Sequence, residues 1–350
     1  MTRTNQILIG ALVVQTGLVA LVWSSGSERS LRKLEPIVTI EAAAVTKIEI
    51  YDRLDAGKPA PTTPKILLAK QPEGWVLASH FNYPVKKTEV DSMIKKLEAM
   101  RARGPVTTKD SRHRQLRVAA DRYERKLVIH AGGTPTTLYV GSAAGRGKTA
   151  IRNDGAAETF GASGITSYAI ATAARNWVES DYFKKGSDAV TELTIAAAGG
   201  NYQFKRADGD APWKRFDGEA EVPVPEGKEL NDGAVDALAN IVGRIILFEP
   251  ADPAKPPTVQ STVSFKAGDK THVLKIGQLV EDRFVAAVDD KVPVLVNKSS
   301  LEKLVDIKDD AVYRDPPKEG ETPPPAGGAA PQLPPGLPPG FQLPPGAGTP

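Results

Sequence analysis

Val45-Thr46-Lys47-Ile48-Glu49-Ile50 alternates apolar and polar residues, the period of a strand with one buried face. The pattern returns about 145 residues later as Val190-Thr191-Glu192-Leu193-Thr194-Ile195. The segments downstream of the two copies also repeat in order. The chain therefore reads as one α+β module used twice, over residues 40–186 and 187–315. Each module is expected to be a mostly antiparallel sheet packed by one or two helices.

After the first copy, Pro59 to Pro64 is turn material, and Lys65–Lys70 and Trp75–Leu77 read as strands joined by Pro72-Glu73-Gly74. Thr88 is placed to cap a helix, with Asp91 three residues on. Val90, Met93, Ile94 and Leu97 fall at i, i+3, i+4 and i+7, one apolar stripe, and Gly104-Pro105 ends the run. Strands resume at Lys126–His130, Thr137–Gly141 and Thr149–Arg152. Ile165 to Phe183 closes the module, expected as a helix carrying Trp177.

The second half echoes these marks. Trp213 follows Ala211-Pro212 as Trp75 follows Glu73-Gly74. Asn231 or Asp232 caps a helix whose stripe is Val235, Leu238, Ile241, Val242 and Ile245. Leu274-Lys275-Ile276-Gly277 repeats Leu138-Tyr139-Val140-Gly141, and Arg283–Val288 matches Thr149–Arg152. Ser299 to Leu304 predicts a final short helix.

The ends differ in kind from the modules. Ile7 to Trp23 is an uncharged apolar run, near the minimum length for a bilayer core, so residues 1–30 read as an N-terminal transmembrane anchor. A cleavable export signal is the rival reading; Trp23 sits where its small-residue cleavage site should be. The membrane is thus an expected partner, with the folded part extracytoplasmic. Arg29, Arg32 and Lys33 beyond the span argue for the opposite orientation. Residues 316–350 hold 13 of the 29 prolines, with Leu-Pro-Pro-Gly at Leu333, Leu337 and Leu343. Such a composition cannot bury a core, so a disordered tail is expected, either a spacer or a docking strip.

A net charge of +3 creates no global field for nucleic acid, and none is expected as partner. Cysteine is absent, which removes disulfides, thiolate nucleophiles and cysteine metal sites. The four histidines are scattered and lack metal-site spacing, and no cofactor is implied. Ser92-x-x-Lys95 and Ser300-x-x-Lys303 imitate a nucleophile pair without its partner motifs. Gly141 to Thr149 resembles a phosphate-binding loop. Its first glycine would fall at Ser142, and strand follows where a helix is needed, so it reads as a hairpin turn. The residue set with most charge is the stretch from Arg101 to Lys126. Arg112, Arg114, Arg117, Arg122 and Arg125 are its candidate anion-binding residues; the alternative is a solvated loop relieved by Asp110, Asp121 and Glu124.

The chain resembles the domain of unknown function 4340 (DUF4340) family. The resemblance rests on the Ile48-Glu49-Ile50 strand, Trp75, the Val90 to Leu97 helix and Leu116-Arg117-Val118 before the Lys126 strand. Leu138 to Gly141, the strand after it, and Trp177 followed by Asp181-Tyr182-Phe183 complete it. It covers about residues 40 to 315. It implies one membrane span, a duplicated α+β domain, and an envelope protein often encoded near gliding-motility-type ABC transporter components. It transfers no catalytic residue. A non-enzymatic, membrane-tethered binding or scaffold module with a membrane-protein partner is the expected function. The alternatives are a cell-envelope polymer hydrolase or transferase using carboxylates at the inter-module cleft, and binding of anionic lipid or polymer through residues 101–126.

Overall fold

The computed structural model describes residues 12–20, 33–145 and 147–316. Every paired strand in it is antiparallel, and helices are few. The first sheet is built from β1 (Val45–Tyr51), β2 (Ile66–Gln71), β3 (Gly74–Leu77), β4 (Tyr83–Pro84), β5 (Arg125–Ala131), β6 (Thr136–Ala143), β7 (Thr149–Asn153) and β8 (Thr159–Ala162). Its spatial order is β4-β3-β2-β1-β5-β6-β7-β8. The second sheet uses β9 (Val190–Ala197), β10 (Gly200–Lys205), β11 (Lys214–Asp217), β12 (Ala220–Glu221), β13 (Glu249–Pro250), β14 (Ser261–Ala267), β15 (Lys270–Val280), β16 (Arg283–Val288) and β17 (Val294–Asn297). Its order is β12-β11-β10-β9-β14-β15-β16-β17-β13. Apart from the added edge strand β13, the two orders are the same. Four strands meander outward, a helix comes next, and the chain returns to the other side of the first strand and meanders outward again.

The two repeated stretches, β1 and β9, are therefore central strands. Val45, Ile48 and Ile50 are fully buried, as are Val190, Leu193 and Ile195. Both strands carry a bulge at the same place: the register against the neighbour slips between Val45 and Lys47, and between Val190 and Glu192. The extra residue is a threonine each time, Thr46 and Thr191. A second shared irregularity lies just past Val140 in β6 and Ile276 in β15. Here the connection entering the fifth strand crosses the sheet. A Cβ on Gly141 would lie 2.0 Å from the Leu116 carbonyl oxygen, and one on Gly277 would lie 2.6 Å from Pro257. Glycine is the residue that lets the chain pass.

Helix α1 (Lys87–Glu98) buries Val90, Met93, Ile94 and Leu97, as its stripe predicts. Its start differs from expectation. Lys86 is the N-cap, with no side-chain cap bond, and Thr88 lies inside the first turn. The entry is held instead by the Lys86 N–H, which donates to the Trp177 carbonyl at 2.7 Å. A short α2 (Asp110–Gln115) lies in the basic stretch. In α3 (Asp232–Gly243) Asn231 does cap, its side-chain oxygen accepting from the Ala234 N–H. The buried stripe is Val235, Leu238, Ala239 and Val242. Ile241 is only partly buried, because a sixth residue at 100° per step leaves the face that Ala239 occupies. Ile245 lies beyond the helix, in the short strand Arg244–Ile246. Helix α4 (Lys298–Val305) matches the expected final helix.

The expected helix over Ile165–Phe183 is absent. The segment holds one 3-10 turn, Ala174–Asn176, and then the strand Asp181–Lys184, which pairs with Arg244–Ile246. Ile170, Ala174, Trp177 and Val178 are buried at helical spacing, i, i+4, i+7 and i+8, yet the segment takes a helical turn only at Ala174–Asn176. The main cluster of buried side chains runs without a break from Ile37 to Val312 and includes residues of both sheets. Phe183 of the closing strand stands edge-on to Phe265 of the second sheet, ring centroids 5.3 Å apart.

The transmembrane helix expected over Ile7–Trp23 is not supported. Among the described residues no helix is long and apolar enough to cross a membrane. Residues 12–20 are helical, and the rest of that run lies outside the described residues, as does the expected disordered tail beyond residue 316.

Candidate functional site

The basic stretch forms the connection between α1 and β5. Arg117 adopts a left-handed backbone (φ 54°) and is buried. Its guanidinium lies between the carboxylates of Asp55 and Glu124, the latter at 2.5 Å. Arg114 pairs with Asp121 at 2.6 Å. Arg125 pairs with Asp52 at 2.9 Å and donates to the Ile170 and Glu124 carbonyls. Asp55 is held below the usual carboxylate range by Arg117 first and Arg53 second. Arg122 is half-buried, and its Nε is enclosed without a hydrogen-bond partner. Arg117 and Arg125 thus fasten the connection to the Asp52–Asp55 loop, and Arg114 pairs within the connection. Arg112 differs from these. It is exposed and, with Lys109, lines a surface depression of about 400 Å3 floored by Leu116 and Ala143. The glycine-rich segment beside it is a hairpin, with the Ala144 N–H donating to the Lys148 carbonyl and strand β7 following directly.

The outer face of the first sheet carries a cluster that sequence reasoning missed. The Glu49 carboxylate accepts from the Tyr51 hydroxyl at 2.9 Å and from His130 Nε2 at 3.0 Å, and pairs with Lys47 at 2.9 Å. Burial works to raise the Glu49 carboxyl. The hydrogen bonds from Lys47, Tyr51 and His130 outweigh it and hold the group below its ordinary value. Lys126 sits 3.7 Å above the Tyr51 ring, and the Tyr139 hydroxyl donates to Asp154 at 3.2 Å. Burial, then the neighbouring carboxylate, pushes both Tyr51 and Tyr139 to about 12. These hydroxyls stay protonated at neutral pH and serve as fixed donors. The signal that would have found the cluster is the β1–β5 register, which sets Lys47 opposite His130. The bulge hides that register from simple counting.

The seam between the segment that closes the first half and the second half is filled. Phe248 lies between two guanidiniums, Arg175 at 5.2 Å and Arg283 at 3.7 Å from its ring centroid. The Tyr182 hydroxyl donates to the Val292 carbonyl at 2.9 Å and accepts from the Val288 N–H at 3.2 Å. Carboxylates near the seam have basic neighbours: Asp181 takes Arg244 at 3.0 Å and Lys184 at 3.2 Å, Asp289 takes His272 at 2.8 Å, and Glu249 lies 4.0 Å from His80. None of five surface depressions among the described residues is lined by two carboxylates. Among those residues no three His, Asp or Glu side chains are grouped to hold a metal ion. Both Ser-x-x-Lys pairs lie on helices, with Lys95, Ser300 and Lys303 exposed.

No curated protein and no solved structure matches this chain. A family model does, over residues 75–258, just over half of the 350 residues, from Trp75 through α1 and the whole of β9 to the connection before β14. The chain belongs to the family described as domain of unknown function (DUF4340).

Proposed function

We propose that the chain is a non-enzymatic binding or scaffold protein, tethered to a membrane with its folded part extracytoplasmic, and accessory to an ABC-transporter-like or other cell-envelope complex. It is built from two tandem related modules, residues 40–186 and 187–315. The observation that carries this reading is the filled seam. The segment that closes the first half packs on the second through Arg175 and Arg283 about Phe248 and through Tyr182, which favours a rigid platform over a catalytic cleft. The helical residues 12–20 support the tether, since Leu12, Val13, Val14, Leu18 and Val19 are 60–65% exposed and need a cover from outside. The test is chemical crosslinking in intact cells, then capture from detergent-solubilised membranes. The expected product is a crosslink to an integral membrane protein, with the folded part cut by protease added to spheroplasts. A chain that fractionates away from membranes, or that stays uncut in spheroplasts, overturns the reading.

The depression at Lys109 and Arg112 favours a second reading, binding of a phosphate-bearing lipid or polymer, because both charged residues lining it are cations. Vesicles of phosphatidylglycerol should then retain the protein at low salt and release it as screening rises. Retention unchanged in Arg112→Ala, or insensitive to salt, dismisses it.

A further inference from the structure

The second sheet contains a filled version of a site that the first sheet leaves open. In the second half the side chain of Arg206 is 4% exposed, and its guanidinium lies 4.4 Å from the Trp213 ring centroid. It donates to the carbonyls of Val190 at 2.8 Å, Ser187 at 2.6 Å and Gly209 at 2.5 Å, and to Asp236 at 3.2 Å. The same Asp236 oxygen accepts from Trp213 Nε1 at 2.8 Å. Aromatic face, carboxylate and convergent carbonyls together form a receptor for a planar cation.

The shared registers give the counterpart of each part. The bulge aligns Val45 with Val190, and so Ala42 with Ser187. Leu68 opposes Ile48 as Phe204 opposes Leu193, which aligns Lys70 with Arg206. The buried helix stripes align Asp91 with Asp236, and the hairpin pairings align Trp75 with Trp213. These residues do meet: Ala42, Val45, Lys70, Trp75, Lys87 and Asp91 line one cavity of about 320 Å3. Lys70 is exposed, and Lys87, itself 82% exposed, approaches Asp91 only to 3.7 Å. The loop that covers the second site, residues 206–213, is replaced in the first by the two-residue turn Pro72-Glu73. The first copy therefore keeps the aromatic ring, the carboxylate and the backbone at Ala42 and Val45, and lacks the internal arginine and the loop that covers the second site and supplies the Gly209 carbonyl.

We infer that the Trp75–Asp91 cavity binds an arginine side chain presented by a partner protein. Lys70, Lys87 and Lys95 surround the opening and repel a bare cation. The partner segment must therefore bring carboxylates beside its arginine, an Arg flanked by Glu or Asp. This deepens, and rests on, the binding reading above by naming what one surface recognises.

The test is calorimetric titration of the purified full chain with acetyl-Glu-Arg-Glu-amide and with acetyl-Glu-Lys-Glu-amide. The arginine peptide should bind at least about tenfold more tightly, since only the planar fork matches carbonyls and carboxylate together. Asp91→Asn should weaken it. Lys70→Arg should fill the site from within, as Arg206 does, abolishing peptide binding and raising Tm. Equal binding of the two peptides, undiminished binding by Lys70→Arg, or no binding at millimolar peptide overturns the assignment. A blank titration leaves membrane tethering and crosslinking untouched, so the two readings fail separately.

Discussion

The two sheets keep the same order of strands while differing on almost every exposed surface. The parts in common are those where the backbone or the core leaves no choice: Thr46 and Thr191 at the bulges, Gly141 and Gly277 at the crossings, Trp75 and Trp213, and helix stripes at matching spacing. The parts that differ are polar contacts, some at the surface and some, like Arg206, enclosed. The Glu49, Tyr51 and His130 cluster of the first outer face is matched by Thr194, Ala196 and Lys266 on the second. The α1 entry is uncapped and α3 is capped. The receptor beside Trp213 is filled and the one beside Trp75 is open. A meander built on a central bulged strand thus tolerates wide changes in chemistry, and function is to be sought where the copies disagree.

The largest expected effect tests whether the halves act together. Phe265→Ala removes a fully buried ring that Phe183 meets edge-on, and should cost about 3–5 kcal/mol. Because the buried cluster is continuous, this change and Ile129→Ala in the first sheet should both shift one cooperative urea transition. Two separable transitions would show that the halves fold apart. Next in size, Gly141→Ala should destabilise by about 1–3 kcal/mol and by more than Gly277→Ala, since the added Cβ would lie 2.0 Å from a backbone oxygen in the first and no nearer than 2.6 Å to Pro257 in the second. Equal losses by thermal melting would remove that distinction. Asn231→Ala should cost about 1 kcal/mol through its lost cap bond, while Lys86→Ala at the matching position should stay within about 0.5 kcal/mol.

The smallest effect is a pH dependence at Glu49 in the first sheet. The folded-state pKa of Glu49 lies below its unfolded value. Its contribution is therefore present above the unfolded carboxyl value of about 4.3 and is lost as pH falls through the lower folded value. Glu49→Gln should be less stable than the parent at neutral pH, and the gap should close in acid. Thr194, at the equivalent place, has nothing to titrate. A gap that persists unchanged to pH 2 would contradict the network's role.

Much of the sheet pattern was legible because alternation, turn residues and tryptophan spacing are local marks. The strands from Val45, Ile66, Arg125, Thr136 and Thr149 stand where those marks place them. The features that escaped depend on contacts distant in sequence. The Trp177 carbonyl takes the Lys86 N–H where a Thr88 cap is expected, and Ile165 to Phe183 folds as a 3-10 turn and a strand paired with Arg244–Ile246 although Ile170, Ala174, Trp177 and Val178 keep a helical spacing. Ala239 is too small to stand out in a stripe, although it is fully buried. Arg117 and Arg125 read as candidate anion binders because their carboxylates, Asp55 and Asp52, sit on a loop more than sixty residues earlier. The Arg206 receptor was invisible for the same reason: two of its carbonyls and its aspartate come from three separate elements.

Amide hydrogen exchange on the full chain tests the central claim most directly, that Val45–Tyr51 and Val190–Ala197 are equivalent middle strands of two like sheets. Both stretches should exchange slowest and to similar depth, with the edge amides of Tyr83, Ala220 and Glu221 exchanging fast. Rapid exchange in either middle strand, at the rate of its own sheet's edge, would contradict the account.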